Sequence, residues 1–227
     1  NIAIGRSALL NQSFTNGGVH WTTANVAIGN FALQKNNPTT NLNGKENTAV
    51  GTSSNYNNTT GIGNTAMGFE SLYSSTYGNY NVALGYKALY GNTNTGHNNI
   101  GIGKETLFSN TFGGNNIGIG ELALNQNSSG SNNIAIGTNS LTANTTGGTN
   151  IAIGYNSNDA NTTGVGNISM GFNSLTDNID GNYNVAINTN SLANLSTGDN
   201  NIALGFYSLL SLTSGDNNVA IGSQANM

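Results

Sequence analysis

The chain has 227 residues and an unusual composition, with 6% charged residues, 32 glycines, no cysteine and a formal charge of −4. Its five basic residues form no cluster, so the sequence lacks the electrostatic footprint of a nucleic-acid-binding protein. The absence of cysteine excludes a disulfide framework and thiolate metal sites. No apolar run approaches the roughly 20 residues that span a bilayer, so we expect no membrane insertion by this segment.

One short phrase of the form Asn-Ile-Ala-Ile-Gly recurs along the whole chain. Its fifth letter falls at 13 places: Gly5, Gly29, Gly51, Gly68, Gly85, Gly103, Gly120, Gly137, Gly154, Gly171, Asn188, Gly205 and Gly222. The spacings are 24, 22, 17, 17 and 18 residues, followed by seven of 17. We number the positions of the repeat from its Asn. The chain opens and ends close to copies of this phrase, so we expect it to be a segment of a longer repetitive protein.

The first two units, residues 1–46, carry loop insertions. The first insertion contains His20 and Trp21, and the second contains Pro38, the only proline. Loops on a rigid scaffold often carry binding function, and an exposed Trp can stack on a sugar, so His20 and Trp21 form a candidate ligand loop. The alternative interpretation is that they pack against the coil below or against a neighbouring chain.

Residues 47–227 form the regular part of the repeat. Positions two and four are apolar or β-branched, and this alternation predicts a short strand with one buried face. Position nine is Leu in most copies, and its replacement by Asn55 and Asn158 predicts a defective or solvated corner in two coils. Position five is Gly except at Asn188, which predicts a corner with positive φ. Position one is Asn in every copy and predicts an Asn ladder along the stack.

A 17-residue period is too short for a helical-hairpin repeat and fits a stacked parallel β-solenoid, or β-roll. We expect an all-β fold of about 13 coils in one continuous domain. Each coil would contain the Asn-Ile-Ala-Ile-Gly strand, a Gly corner, a second short strand around position nine and a return turn. At strand spacing the coils would form a rod on the order of 60 Å long.

Position three is occupied by small residues throughout. If positions two and four point inward, position three points outward, and a stripe of small residues then indicates close packing against another chain. We therefore predict a side-by-side homotrimer whose interface consists of Ala3, Ala27, Ala49, Ala66, Ala83, Gly101, Gly118, Ala135, Ala152, Ser169, Ala186, Ala203 and Ala220.

The sequence offers little for catalysis or metal binding. Its two histidines are several coils apart, and no nucleophile, base and orienting group come together, so we expect no enzyme and no cofactor. Asp199 and Asp216 share one position in adjacent coils and are a weak calcium candidate; solvated turn aspartates are the favoured interpretation. Aromatic residues recur at position six and predict local packing or part of a ligand groove: Phe69, Tyr86, Tyr155, Phe172 and Phe206.

The repeat resembles the heads of YadA-like trimeric autotransporter adhesins and, more closely, the Asn/Thr-rich "NNTAIGxxAL" repeats of bacterial and phage fibre proteins. Residues 133–137 with Ser140 and Leu141 carry the resemblance, which covers essentially the whole chain. It implies a parallel β-roll, three chains side by side and display on a surface for adhesion. The present unit is longer than the YadA-like one and richer in Asn.

These observations lead us to expect a non-enzymatic segment of an extracellular, cell-surface or virion fibre, acting as shaft or adhesive head. Its partners would be further copies of itself and a surface glycan or protein receptor. One alternative is a self-assembling filament or matrix protein without a dedicated receptor. Another is an ice-binding solenoid, which the irregular placement of Thr disfavours.

Overall fold

The computed structural model describes residues 1–12, 23–40, 42–92 and 96–226, which form a parallel β-solenoid. The strands lie in chain order within one sheet, each hydrogen-bonded to the next. We number the coils after the strands they contain, which are β1 (Ile2–Ile4), β2 (Val26–Ile28), β3 (Thr48–Val50), β4 (Thr65–Met67), β5 (Val82–Leu84), β6 (Ile100–Ile102), β7 (Ile117–Ile119), β8 (Ile134–Ile136), β9 (Ile151–Ile153), β10 (Ile168–Met170), β11 (Val185–Ile187), β12 (Ile202–Leu204) and β13 (Val219–Ile221). The predicted fold class is confirmed.

Equivalent positions of successive repeats lie directly above one another. Ala135 in β8 pairs with Ala152 in β9, and the flanking residues pair in the same register. Ala3 pairs with Ala27 in the same way although the repeat there is 24 residues long. The longer repeats therefore do not shift the register of the strands.

The core of each coil lies between the strand and the wall opposite. In coil 8, Ala135 at position three, Ser140 at position eight and Leu141 at position nine are all 0% exposed. The Leu side chain crosses the narrow coil to the strand, because a Cβ added to Gly101 would lie 3.2 Å from Cγ of Leu89. The space left at position three admits only Ala, Gly or Ser.

The prediction that positions two and four of the strand point inward is therefore wrong. Position three points into the coil and is buried within the single chain in every coil but the first, where Ala3 is exposed. Buried side chains cannot form the predicted contact with other chains, and this correction applies to Ala27, Ala49, Ala66, Ala83, Gly101, Gly118, Ala135, Ala152, Ser169, Ala186, Ala203 and Ala220. Positions two and four face outward instead.

The predicted second strand around position nine is also wrong. Positions seven and nine have left-handed backbone, as at Asn139 (φ 58°) and Leu141 (φ 50°), whereas a strand requires extended, negative φ. The coils remain hydrogen-bonded there, since the N–H of Leu141 donates to the carbonyl of Ser157 at 3.1 Å. The predicted corner at position five is confirmed, because Gly137 has φ 131° and Asn188 has φ 97°.

Two ladders of buried asparagines run along the rod. At position one, Oδ1 of Asn133 accepts the backbone N–H of Asn150 in the next coil at 2.9 Å, which confirms the predicted ladder, and Nδ2 of Asn133 donates to the carbonyl of Gly147 at 2.9 Å. At position twelve, which the sequence interpretation did not single out, Asn144 donates from Nδ2 to Oδ1 of Asn127 at 2.8 Å. The amides thus satisfy backbone groups that the narrow coil buries.

Asn55 and Asn158 do not form solvated corners. Both are 0% exposed, and among the described residues neither their Nδ2 nor their Oδ1 atoms have a hydrogen-bond partner. They occupy the Leu position and interrupt the apolar core, which falls into three clusters: Leu9 to Ala49, Ala66 to Ala152 and Leu175 to Ala220. Among the described residues, no helix is long and apolar enough to cross a membrane.

Candidate binding surfaces

The outward side chains of positions two and four form an apolar stripe along the sheet. At position four, Met67 is 49% exposed, Met170 39% and Ile102 36%. No repeat has a charged residue at positions one to five. Thirteen strands of three residues cover a face on the order of 600 Å², a size at which exposed apolar patches mark interaction sites.

A second surface is formed by positions six, seven and ten on the wall opposite the strand. In coils 3 to 6, position ten carries a ladder of stacked rings, namely Tyr56, Tyr73, Tyr90 and Phe108, with centroids 5.0–5.2 Å apart. The ammonium group of Lys35 lies 5.2 Å from the centroid of Tyr56 at the end of this ladder. These separations are close to the strand spacing of about 4.8 Å, so neighbouring rings are displaced little sideways. The rings therefore stack face to face and fill this wall.

Position six shows the predicted local packing in two places. Phe69 stacks on Tyr86 with centroids 5.6 Å apart, and Tyr155 stacks on Phe172 at 5.5 Å. Phe206 instead meets its neighbour Tyr207 edge to face, with centroids 4.2 Å apart and planes at 85°. That contact places the Tyr207 ring beside Phe206 rather than in a stack along the rod.

Further along the same wall, in coils 10 to 12, a cleft of about 420 Å³ opens between positions seven and ten. Position ten is small there, with Thr176 and Ala193 in place of an aromatic ring. The cleft is the continuation of the surface that the ring ladder fills in coils 3 to 6, because both occupy the same positions of the repeat. It is lined mainly by polar groups from three adjacent coils.

Several oxygen atoms in and beside the cleft are buried without a partner among the described residues. They are Oδ1 of Asn173 and Oγ1 of Thr176, which line the cleft, and Oδ1 of Asp159, one coil before Thr176 at the same position. Burial, helped by the nearby charge of Asp177, raises the pKa of Asp159 from 3.8 to about 6. This part of the wall therefore has unused hydrogen-bonding capacity.

The candidate calcium ligands have a structural role. Oδ1 of Asp216 accepts the backbone N–H of Asp199 at 2.8 Å, and Oδ1 of Asp199 accepts that of Asn182 at 2.7 Å. Nδ1 of His97 accepts the N–H of Asn79 in the same way, at 2.9 Å. Position sixteen thus forms a third ladder. Within the described ranges, no group of three His, Cys, Asp or Glu could hold a metal ion.

The candidate ligand loop with His20 and Trp21 falls in residues 13–22, outside the described residues. No family model, curated protein or solved structure matches the chain. The apolar stripe and the cleft therefore have to be interpreted from their own geometry.

The sequence interpretation missed both surfaces. The stripe was assigned to the inside because alternation identifies two faces of a strand without saying which is buried. Position ten changes from Tyr56, Tyr73, Tyr90 and Phe108 to the small Thr176 and Ala193, which indicates that the ring ladder has ended. The change alone does not predict the cleft, because Thr142 in coil 8 is equally small.

Proposed function

We propose that this chain is a non-enzymatic segment of an extracellular fibre, acting as shaft or adhesive head, whose copies associate side by side. The apolar stripe supports this proposal most directly. It runs along all the coils, carries no charge, and is not covered by any other element that the structure describes.

The occupant that best fits the stripe is the stripe of another copy. Two such faces have the same strand spacing and can be brought together without burying an unpaired charge. A face on the order of 600 Å² approaches the roughly 800 Å² per partner of a standard interface. Three copies arranged about one axis would cover each stripe with two neighbours, which is the arrangement we propose.

Replacing Ile136 and Ile153 by Lys tests this association, because two charges would then be buried at the proposed interface. We expect the unaltered chain to sediment as a trimer at micromolar concentration and the double variant to sediment as a folded monomer. Thr138→Lys with Thr189→Lys is the matched control, since position six already accommodates Lys104. A well-folded monomer of the unaltered chain at micromolar concentration would rule out the proposal.

Electron microscopy of the native object distinguishes the remaining alternatives. Capped spikes projecting from a cell or virion would support a fibre head or shaft. Open-ended filaments of indefinite length would favour a matrix protein without a dedicated receptor. Thermal hysteresis in solution would instead favour ice binding.

A further inference from the structure

The cleft in coils 10 to 12 is lined by groups that both donate and accept hydrogen bonds. Asn173 and Asn190 at position seven and Asn194 at position eleven provide amides. Asp177 adds one carboxylate. Oδ1 of Asn173 and Oγ1 of Thr176 are buried behind this lining, so the groups that face a ligand are the other amide groups and the carboxylate of Asp177.

One aromatic ring completes the cleft. Tyr207 lines it from coil 12, where its ring lies edge to face against Phe206. An aromatic ring offers an apolar surface on which a ligand can stack. Leu210 and Ala193 supply a small apolar floor beside it.

From this combination we propose that the cleft binds a neutral carbohydrate, one or two hexose units in size. The hydroxyl groups of a sugar can donate hydrogen bonds to the carboxylate and to amide oxygens, and they can accept hydrogen bonds from amide nitrogens. The apolar face of the sugar ring would stack on Tyr207. A volume of about 420 Å³ lies within the usual range for small-ligand sites. The inference extends the proposed function, because such a site would give an adhesive head its receptor.

Other ligand classes fit this cleft less well. No Lys or Arg lines it, so a phosphate, sulfate or sialic acid would lack a counter-charge. A calcium ion would find only one carboxylate, Asp177, among the lining residues. A lipid would leave the three amides without hydrogen bonds, which is costly once they are desolvated.

A residue found at the same position in other coils can be used to close the cleft. Ala193→Tyr places at position ten the residue found there in coils 3 to 5, where the same wall accommodates Tyr56, Tyr73 and Tyr90. The ring would occupy the space of the ligand while the coil keeps its path. Thr142→Tyr makes the same change in coil 8, away from the cleft, and is the matched control.

The experiment uses an array of neutral and acidic oligosaccharides, followed by calorimetric titration with the neutral oligosaccharide that binds best. We expect Ala193→Tyr to weaken binding at least tenfold and Thr142→Tyr to leave it unchanged. Tyr207→Ser should also weaken binding at least tenfold, and Ser is tolerated at that position in coils 1 and 3. Absence of neutral-glycan binding, or binding that survives Ala193→Tyr, would overturn the proposal.

The Ile136→Lys, Ile153→Lys double variant separates this inference from the association of chains, because both changes lie in coils 8 and 9, away from the cleft. If it is monomeric and still binds the oligosaccharide, both proposals stand. If the unaltered chain is monomeric but binds, the cleft proposal stands and the side-by-side assembly fails. If the unaltered chain is trimeric and binds no neutral glycan, the side-by-side assembly stands and the cleft proposal fails.

Discussion

Asn150 donates its backbone N–H to Oδ1 of Asn133, 2.9 Å away and one coil earlier in the chain. The amide nitrogen of the same Asn133 donates to the carbonyl of Gly147, which closes its own coil. One side chain thus joins the closure of a coil to the stacking of the next. This double use explains why position one is Asn in every copy, since no other side chain of that length offers both a donor and an acceptor.

The buried Asn158 should be a weak point of the rod. Its side chain is 0% exposed and its amide has no partner within the described ranges, so replacing it by Leu removes a desolvation cost and joins two clusters of the core. We expect Asn158→Leu to raise the free energy of unfolding by about 1–3 kcal/mol, measured by urea denaturation at fixed protein concentration. The reverse change in the preceding coil, Leu141→Asn, should destabilise the chain. Lower stability of Asn158→Leu would mean that its amide has a partner in solution.

The position-twelve ladder breaks at Ser75, whose hydroxyl has no partner in the described part of the chain, and Oδ1 of Asn58 likewise has no donor there. Ser75→Asn should restore the contact seen between Asn144 and Asn127 and stabilise the rod by about 1 kcal/mol. The gain would appear as a higher urea midpoint.

Leu195→Asn is the comparison, because it would offer the same contact to Oδ1 of Asn178 but remove a Leu that is 0% exposed. We expect a net loss of stability there. If both variants gained equally, the contribution of Leu195 to the core would be negligible, contrary to its burial.

Gly118 and Thr106 are matched to one another across the interior. A Cβ on Gly118 would lie 2.6 Å from Cγ2 of Thr106, which occupies a position that is Ser or Ala in most other coils. Gly118→Ala should therefore destabilise the chain by about 1–3 kcal/mol.

In the Thr106→Ser background the same substitution should cost much less, because the clashing methyl group is gone. A double-mutant cycle on unfolding free energies measures the coupling. Additive effects would show that the two side chains do not compete for the same space.

The raised pKa of Asp159 makes stability depend on pH. Its value is about 6 in the folded chain against 3.8 without the fold, so the folded chain binds the proton more tightly. Stability should therefore be greatest below about pH 4, fall as the pH rises to about 6, and stay level above that. Because Asp159 is only half-buried, solvent screening reduces the effect to about 1–2 kcal/mol.

Asp159→Asn should remove this dependence and raise the melting temperature at pH 7. The measurement is a series of thermal melts between pH 3 and pH 8 for both chains. Asp180→Asn, on an exposed residue, is the control. A melting temperature of the unaltered chain that rises from pH 4 to pH 6, when the control chain does the same, would contradict the assignment to Asp159.

The sequence was sufficient to predict the architecture of the rod but not which side chains of its strands point into the coil. The spacing of the repeat, the Gly corner and the Asn ladder all follow from local chemistry, and each is confirmed. Whether the side chain of Ala135 points inward depends on the width of a 17-residue coil. Because Leu141 from the far wall already fills the interior, the small residue is the one that fits inside. That is a property of the closed coil and cannot be derived from the strand alone.

The left-handed backbone at positions seven and nine was also beyond prediction. Leu141 has φ 50°, a conformation that Leu rarely adopts. Its cost is offset by burial of the side chain and by the hydrogen bond to Ser157. The cleft was unpredictable for a related reason, since its walls come from coils 10, 11 and 12 and exist only once these are stacked.

Every strand of this rod pairs only with the strands immediately before and after it. Removal of residues 133–149, one complete unit, would bring Asn150 to the place of Asn133 and recreate every ladder across the junction. The rod would be shorter by one strand spacing, about 4.8 Å, and otherwise unchanged. The length of such a rod is set by the number of its repeats, so unequal recombination between similar units can lengthen or shorten it while the backbone pairing between coils stays the same.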